Sequence, residues 1–336
     1  MKTGAVVLKW TTGLLAGLGL VLSACAQEQG HDENVQAKAF VDYMVAEHNF
    51  SRDELETLMR EAKRKDSILK AIKRPAEKAK PWYDYRNIFI TDARIRGGVE
   101  FWDKNAEALK AAEEKYGVPP EIIVAIIGVE TRYGGNMGSY RVIDALSTLA
   151  FNYPRRSKFF TKELENYLLL TRDEKIDPTS LKGSYAGAMG FGQFMPSSYR
   201  FYAVDFNGDG RVDIWTDTED AIGSVANYFV QHGWKTGEPV AVITKPLPNA
   251  DMTIVNDSLK PKWTVGEVEA KGFPTTAQVT KEMPANVFSL QTKKGEQFWI
   301  GLNNFYTITR YNHSRMYAMA VYELGQEIIK ARGGRS

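Results

Sequence analysis

From Pro120 to Arg132 the chain reads as one helix, and Ile122, Ile123, Val124, Ala125, Ile126, Ile127 and Val129 leave it almost no polar face. A helix that is apolar all round must be enclosed by other elements, so the fold has to be built around this segment. Gly117 stops the helix before it, and Pro119-Pro120 starts it. Glu130 stands near its C-terminal end, just before Thr131-Arg132-Tyr133-Gly134-Gly135. Desolvation and the negative end of the helix dipole both favour the protonated carboxyl there. A carboxyl kept neutral near neutral pH can serve as a general acid, for example toward a glycosidic oxygen. A salt bridge from Glu130 to Arg132 or another arginine fits the same local pattern equally well.

The chain is long enough for such a core. Its 336 residues, 43% apolar, 25% charged and 12% aromatic, are those of a globular protein of about two domains. The formal net charge is +2, and residues 1–24 supply two lysines, Lys2 and Lys9, and no acid. Without that segment the balance is near zero, which argues against nucleic acid as a partner, because phosphate binding needs a basic face. Those two lysines precede an apolar run from Trp10 to Leu22, a signal-peptide pattern too short to span a membrane comfortably. The lone cysteine, Cys25, follows in Leu22-Ser23-Ala24-Cys25. This resembles the bacterial lipoprotein processing box, which implies cleavage after residue 24 and lipidation of Cys25. Ala26 at the next position is similar to the sorting signal for the outer membrane, so the expected location is the periplasm, anchored to the inner leaflet of the outer membrane.

Residues 25–34 read as a polar tether. Helical signals dominate from Val35: a helix to His48, a capping box at Ser51-Arg52-Asp53-Glu54, a charged helix containing Lys63-Arg64-Lys65, and a helix from Val99 to Tyr116. Pro81-Trp82-Tyr83-Asp84-Tyr85 breaks the pattern. From Gly237 to about Gln297 the character changes. Val240–Ile243, Thr264–Val268, Ala277–Val279 and Val287–Leu290 are short β-type runs between Pro, Gly, Asn and Asp. Helix returns from Arg315 to Lys330. The expected fold is mainly α, an α+β chain with a small β-rich insertion at 237–297.

A second candidate segment runs from Gly183-Ser184-Tyr185-Ala186-Gly187 through Ala188-Met189-Gly190-Phe191-Gly192-Gln193 to Phe194-Met195-Pro196-Ser197. Glycines let backbone approach a ligand, and aromatics suit sugar faces, although a tight packing turn has the same composition. It has no phosphate-loop lysine, so a nucleotide is not expected. Glu130-Thr131-Arg132-Tyr133-Gly134, this Gly-rich segment, Ala221–Phe229, and Asn304-Phe305-Tyr306 with Arg310–Ser314 together resemble the MltB-type lytic transglycosylases. The resemblance spans roughly Val35 to the C-terminus.

That resemblance implies a lysozyme-like helical core at 111–236 and 298–333. It further implies an added helical domain at 35–110, which 141–180 could join, and a small β domain. The implied substrate is peptidoglycan glycan, cut at the β-1,4 bond between N-acetylmuramic acid and N-acetylglucosamine to leave 1,6-anhydromuramoyl ends. Glu130 would act first as acid and then as base, with no organic cofactor. Ser184, Gln193, Tyr228, Asn304 and Tyr306 would line the cleft, with Tyr85, Arg155 and Arg156 at its edges. Arg155-Arg156 also reads as a solvated pair. Competing readings are a lysozyme-type hydrolase with a second acid, for which Asp144 or Asp205 are candidates, and a noncatalytic murein-binding scaffold.

A third constellation stands apart. Asp205-Phe206-Asn207-Gly208-Asp209-Gly210-Arg211-Val212-Asp213 matches the front of an EF-hand loop, with Asp205, Asn207, Asp209, Arg211 through its carbonyl, and Asp213 as oxygen donors. The last ligand position holds Thr216 in place of Glu, with Asp217 one residue late, so either could complete a structural Ca2+ site. The histidines show no paired spacing, which argues against zinc.

Overall fold

The computed structural model describes residues 30–31, 33–73 and 80–333. The leader 1–24, Cys25 and most of the stretch read as a tether lie outside those residues. Three helices come first: α1 (Val35–His48), α2 (Arg52–Glu61) and α3 (Asp66–Ile72). Asn34 caps α1 by accepting the N–H groups of Gln36 and Ala37, and Ser51 caps α2 by accepting that of Glu54. The tether reading ends by His31, which is buried with a ring nitrogen 3.1 Å from Ser147 Oγ.

Lys63-Arg64-Lys65 falls between helices, contrary to the sequence expectation. Tertiary structure claims its backbone: Lys63 N–H donates to Asp144 (2.8 Å) and Lys65 N–H to Thr148 (3.0 Å). Next come α4 (Trp82–Phe89), α5 (Asp92–Lys104), α6 (Ala106–Tyr116) and α7 (Pro120–Thr131). Pro81 is the N-cap of α4, so the expected break is a helix start, where an absent N–H costs nothing. The single helix expected over 99–116 is two. Asn105 divides them, its amide donating to Phe101 O (2.7 Å) and accepting from Thr218 (2.7 Å).

Onward run β1 (Tyr140–Arg141), α8 (Val142–Asn152), α9 (Ser157–Asp173), β2 (Lys182–Gly183), α10 (Pro196–Tyr202) and α11 (Thr218–Gln231). The chain closes with β3 (Ala241–Thr244), β4 (Trp263–Thr264), α12 (Val265–Ala270), β5 (Pro284–Thr292), β6 (Gly295–Leu302), α13 (Asn303–Tyr311) and α14 (Arg315–Gly333). The main sheet is antiparallel in the order β3-β6-β5-β4 and continues through Leu302. Two expected strands differ. Thr264–Val268 is mostly α12, because Thr264 and Glu267 form a reciprocal capping box, and 277–279 is irregular.

Two large cores result. In one, α7 is enclosed by α5, α6, α11 and α14, and Ile122 through Ile127 are each no more than 1% exposed. In the other, α1, α2 and α3 pack on α8 and α9, so the helices before residue 73 share a core with 142–170, whereas α4, α5 and α6 share one with α7. The β module has a small core of its own, around Phe273, Val287 and Ile300.

Because α7 has no solvent face over which to relax, Ile126→Ala should destabilise the fold by about 3–5 kcal/mol, at the upper end for a large-to-small change. Chemical denaturation with an unchanged m-value would measure it, and a loss below about 1 kcal/mol would show that the site collapses freely.

Candidate active site

The end of α7 is an unusual turn. Arg132, Tyr133 and Gly134 are consecutive left-handed residues, with φ of 53°, 60° and 87°. Two non-glycine residues there cost on the order of 1–2 kcal/mol each, so the surroundings must hold them. The Tyr133 ring does so. It lies against Gly97, Gly98 and Gly128, where a Cβ would come within 3.0 Å of it, and its hydroxyl donates to Arg94 O (2.8 Å). The buried Thr131 hydroxyl accepts from Gly134 N–H (3.0 Å) and lies 2.9 Å from the carbonyl of Phe191 in the Gly-rich loop.

Glu130 is therefore presented from a fixed helix end. Its carboxyl is mostly enclosed and forms no ion pair among the described residues, so the expected alternative of a bridge to Arg132 does not hold; Arg132 turns out into solvent. Its partner is Tyr317, on α14, whose hydroxyl donates to Oε1 at 2.5 Å. Burial raises the Glu130 pKa to about 7, only partly opposed by the Tyr317 hydrogen bond, which favours the anion. The Tyr317 hydroxyl, itself buried and facing the carboxylate, is pushed well above its ordinary range. So is that of Tyr311, by burial and by the charge of Glu130. Among the described residues no other carboxylate acts on Glu130. Asp144 is buried in the other core, paired with Arg141 at both oxygens, and Asp205 accepts N–H groups within its own loop. Neither is a second acid for this site.

The Gly-rich loop folds over on itself beside this carboxyl. Ser184 Oγ accepts from Ala186 and Ala188 N–H, and Met189 and Phe194 bridge each other. Gln193 adopts a left-handed φ of 51° while its amide reaches the carbonyls of Met137 and Gly190. At Gly190 (φ 67°) a Cβ would lie 2.4 Å from Ile214 O, so glycine is needed for loop and neighbour to meet. Tyr311 anchors the loop by donating to Gly192 O at 2.5 Å.

The remaining expected residues divide. Tyr85 is buried beside Trp82 and close enough to affect Tyr317 electrostatically. Tyr228 donates to Arg310 O (2.7 Å) and stacks on His232. Tyr306 is half-buried on α13. Arg155 and Arg156 lie exposed on a short turn, the latter over Phe159. Asn304 is a different case. It is fully buried, accepting from Lys235 N–H and donating to the carbonyls of Lys235 and Glu238, and has no surface left for a ligand. Sequence reasoning missed Tyr317 and Thr131 as neighbours of the carboxyl. Thr131 was signalled by adjacency, whereas Tyr317 is 187 residues away and carries no local signal.

In the EF-type loop, Asp205 accepts N–H groups from Gly208, Asp209 and Gly210, Asp209 accepts from Arg211, and Asp213 accepts from Trp215 and Thr216. Among the described residues no three acidic, histidine or cysteine side chains converge into a metal cage. The donor types still suit a hard cation, since Asn207 and the Arg211 carbonyl add neutral oxygens to those of the aspartates. Thr216 donates its hydroxyl to Asp213, and Asp217 caps α11 and accepts from Asn207 (2.7 Å), so the slipped aspartate is already engaged. Buried Asp220 ties both ends of the loop, accepting from Phe206 and Asp213 N–H.

The family described as transglycosylase SLT domain matches residues 32–326. Membrane-bound lytic murein transglycosylase B of Escherichia coli (strain K12) is 49% identical over 308 residues, which cover 89% of this chain and 84% of that protein. Soluble lytic transglycosylase SltB1 from Pseudomonas aeruginosa is 54% identical with a TM-score of 0.85, covering 89% of this chain and 99% of that one. Escherichia coli Slt35 in complex with calcium is 48% identical with a TM-score of 0.81, covering 92% and 98%.

Glu130 holds its proton more tightly folded than unfolded, so its contribution to stability is complete below the usual carboxyl range and is lost as pH rises through about 7. Between about pH 4 and pH 8 the parent should lose roughly 2–3 kcal/mol more stability than Glu130→Gln. Denaturant titrations across that range measure the difference; parallel pH profiles would mean the carboxyl ionises normally.

Proposed function

The chain belongs to the transglycosylase SLT-domain family and is a peptidoglycan lytic transglycosylase with a lysozyme-like fold, and on that premise we propose that Glu130 is the one group that gives and then takes the proton in its reaction. What supports this is a carboxyl enclosed at the end of α7, held by one hydrogen bond from Tyr317 and with no ion pair among the described residues, whose burial pushes its pKa up to about 7. Tyr317 occupies Oε1, which leaves Oε2 as the oxygen to carry the proton. That proton passes to the glycosidic oxygen as the bond from the muramoyl anomeric carbon breaks. The muramoyl 6-hydroxyl then bonds to that carbon and yields its proton to the same carboxylate, closing a 1,6-anhydro ring with no water consumed. An ordinary glycosidase uses two carboxyls to handle an external nucleophile. An internal hydroxyl arrives with a high effective concentration and needs only one.

Ser184, Gln193, Tyr85, Tyr228 and Tyr306 are the proposed glycan contacts, with Arg155 and Arg156 as outlying partners for substrate carboxylates. The burial of Asn304 argues for a supporting role there. In the loop at 205–216, oxygens of Asp205, Asn207, Asp209, Asp213 and the Arg211 carbonyl would hold calcium, whose chemistry would be purely structural, with Thr216 in the last position. The calcium complex of a 48% identical relative supports this. Cys25 is the proposed lipid attachment, placing the enzyme in the periplasm on the outer membrane. Consistent with an anchor, the 49% identical relative is membrane-bound, and among the described residues no helix is long and apolar enough to cross a membrane.

Mass spectrometry of fragments released from sacculi by residues 26–336 should find anhydromuramoyl ends, reduced about a thousandfold or more in Glu130→Gln. Fragments one water heavier would point to a hydrolytic step and refute the single-carboxyl scheme. Calcium at about a hundredfold excess over its Kd should raise stability by about 3 kcal/mol, an increment that Asp209→Ala loses. A parent whose Tm is indifferent to both calcium and chelator would exclude the metal.

A further inference from the structure

A cavity of about 530 Å³ opens where the start of α4, the start of α14 and strand β5 meet. Its wall includes Lys80, Trp82, Gln291, His313 and Arg315, and not one carboxylate. Two other cavities differ in this respect, one being lined by Glu33, Asp42 and Glu56 and the other by Asp53, Glu54, Glu61 and Asp177. Arg315 is the decisive residue. One guanidinium nitrogen donates to Asn256 O (2.7 Å), while Nε is buried without an acceptor among the described residues. It forms no ion pair there, and its surroundings desolvate it enough to disfavour its charge. The acid that influences it, Asp257, is paired with Lys262 at 2.7 Å.

A half-buried cation without a counter-ion is costly to maintain, and one that is held in place on a cavity wall is suited to an incoming anion. Asn256 does the holding: it sits at φ 61° with its side chain fixed on Ser289, so the carbonyl that receives Arg315 cannot swing away. The position is also suggestive. Arg315 lies two residues before Tyr317, which binds Glu130, and Trp82 stacks beside Tyr85. The cavity thus shares its walls with α14, which carries the partner of the proposed acid, and with α4, which carries Tyr85, and Trp82 offers an apolar surface next to the cations.

Building on the transglycosylase reading, we propose that this cavity is a subsite for a carboxylate of the peptide stem carried by the glycan, with Arg315 as its main donor and Lys80 as its outer charge. Arginine suits the task because its planar fork can engage both oxygens of a carboxylate. The subsite would therefore sort strands by whether they still bear a stem near the bond to be cut.

Steady-state kinetics on peptide-bearing glycan strands, and on strands stripped of stems by an amidase, test this. The amidase hydrolyses the lactyl amide, so a stripped strand carries a free carboxylate at the sugar ring but none of those on the stem. The comparison asks which of the two positions Arg315 reads. In Arg315→Gln the rise in KM on peptide-bearing strands should exceed that on stripped strands by about tenfold, with Arg315→Lys recovering part of the difference by keeping the charge. Equal penalties on both substrates, or a loss in kcat alone, would overturn the subsite and leave Arg315 as a brace for Asn256. Calorimetric titration with the free stem tetrapeptide reads the same pocket without catalysis. Binding about tenfold weaker in Arg315→Gln supports the proposal even if the reaction scheme at Glu130 were wrong. An unchanged affinity, or none in the parent, overturns it.

Discussion

The enclosure of Glu130 at the end of α7 is the constraint around which the rest of the molecule is arranged. A carboxyl in that position gains nothing for folding once it ionises, and a buried helix of isoleucine and valine offers it no cation in compensation. Its one polar contact among the described residues, with Tyr317, favours the anion and does not offset the desolvation. A catalytic role for Glu130, as proposed, would set stability and function in opposition here, as they commonly are at sites with shifted titration. The core that α7 shares with α5, α6, α11 and α14 supplies the stability that the site gives up.

Position matters as much as protonation. Three successive left-handed residues after Thr131 let the chain leave α7 abruptly, so that the carboxyl stands at the very end of a rigid rod. Such a turn persists only when its neighbours over-determine it. Tyr133, seated against three glycines and bonded to Arg94 O, does this from one side, and the Thr131 contact with Phe191 does it from the other.

The sequence disclosed these features unequally. The apolar run that makes α7 buried is local and was readable, as were the N-caps at Ser51 and the glycine stop at Gly117. The cluster Lys63–Lys65 looked helical because nothing nearby in the chain says that Asp144 and Thr148 will take its backbone donors. Thr264–Val268 looked like a strand because β-branched residues dominate, yet the reciprocal hydrogen bonds of Thr264 and Glu267 decide for a helix. Resemblance, too, had a limit. It drew attention to Asn304, whose amide is consumed by Lys235 and Glu238, and it passed over Tyr317, which touches the carboxyl directly. Residues that act through long-range contact leave no periodicity to read.

One connection runs through the whole site and links the EF-type loop to the turn that presents Glu130. Phe191 N–H donates to Ile214 O (3.0 Å), inside the loop at 205–216, while Phe191 O lies 2.9 Å from the Thr131 hydroxyl beside Glu130. A single residue of the Gly-rich loop is thus bonded on one side to the acidic loop and on the other to the turn that presents the carboxyl. The Gly-rich loop has few side chains large enough to hold its own shape, so its shape is borrowed from these two neighbours and from Tyr311 at Gly192. Three carboxylates in one exposed loop repel one another unless backbone N–H groups or a cation offset them. N–H groups alone leave each aspartate with unused acceptor capacity. Fixing that loop would fix Ile214, and through Phe191 the register of the Gly-rich loop against Glu130. A structural cation there would bear on catalysis through geometry, without touching the substrate.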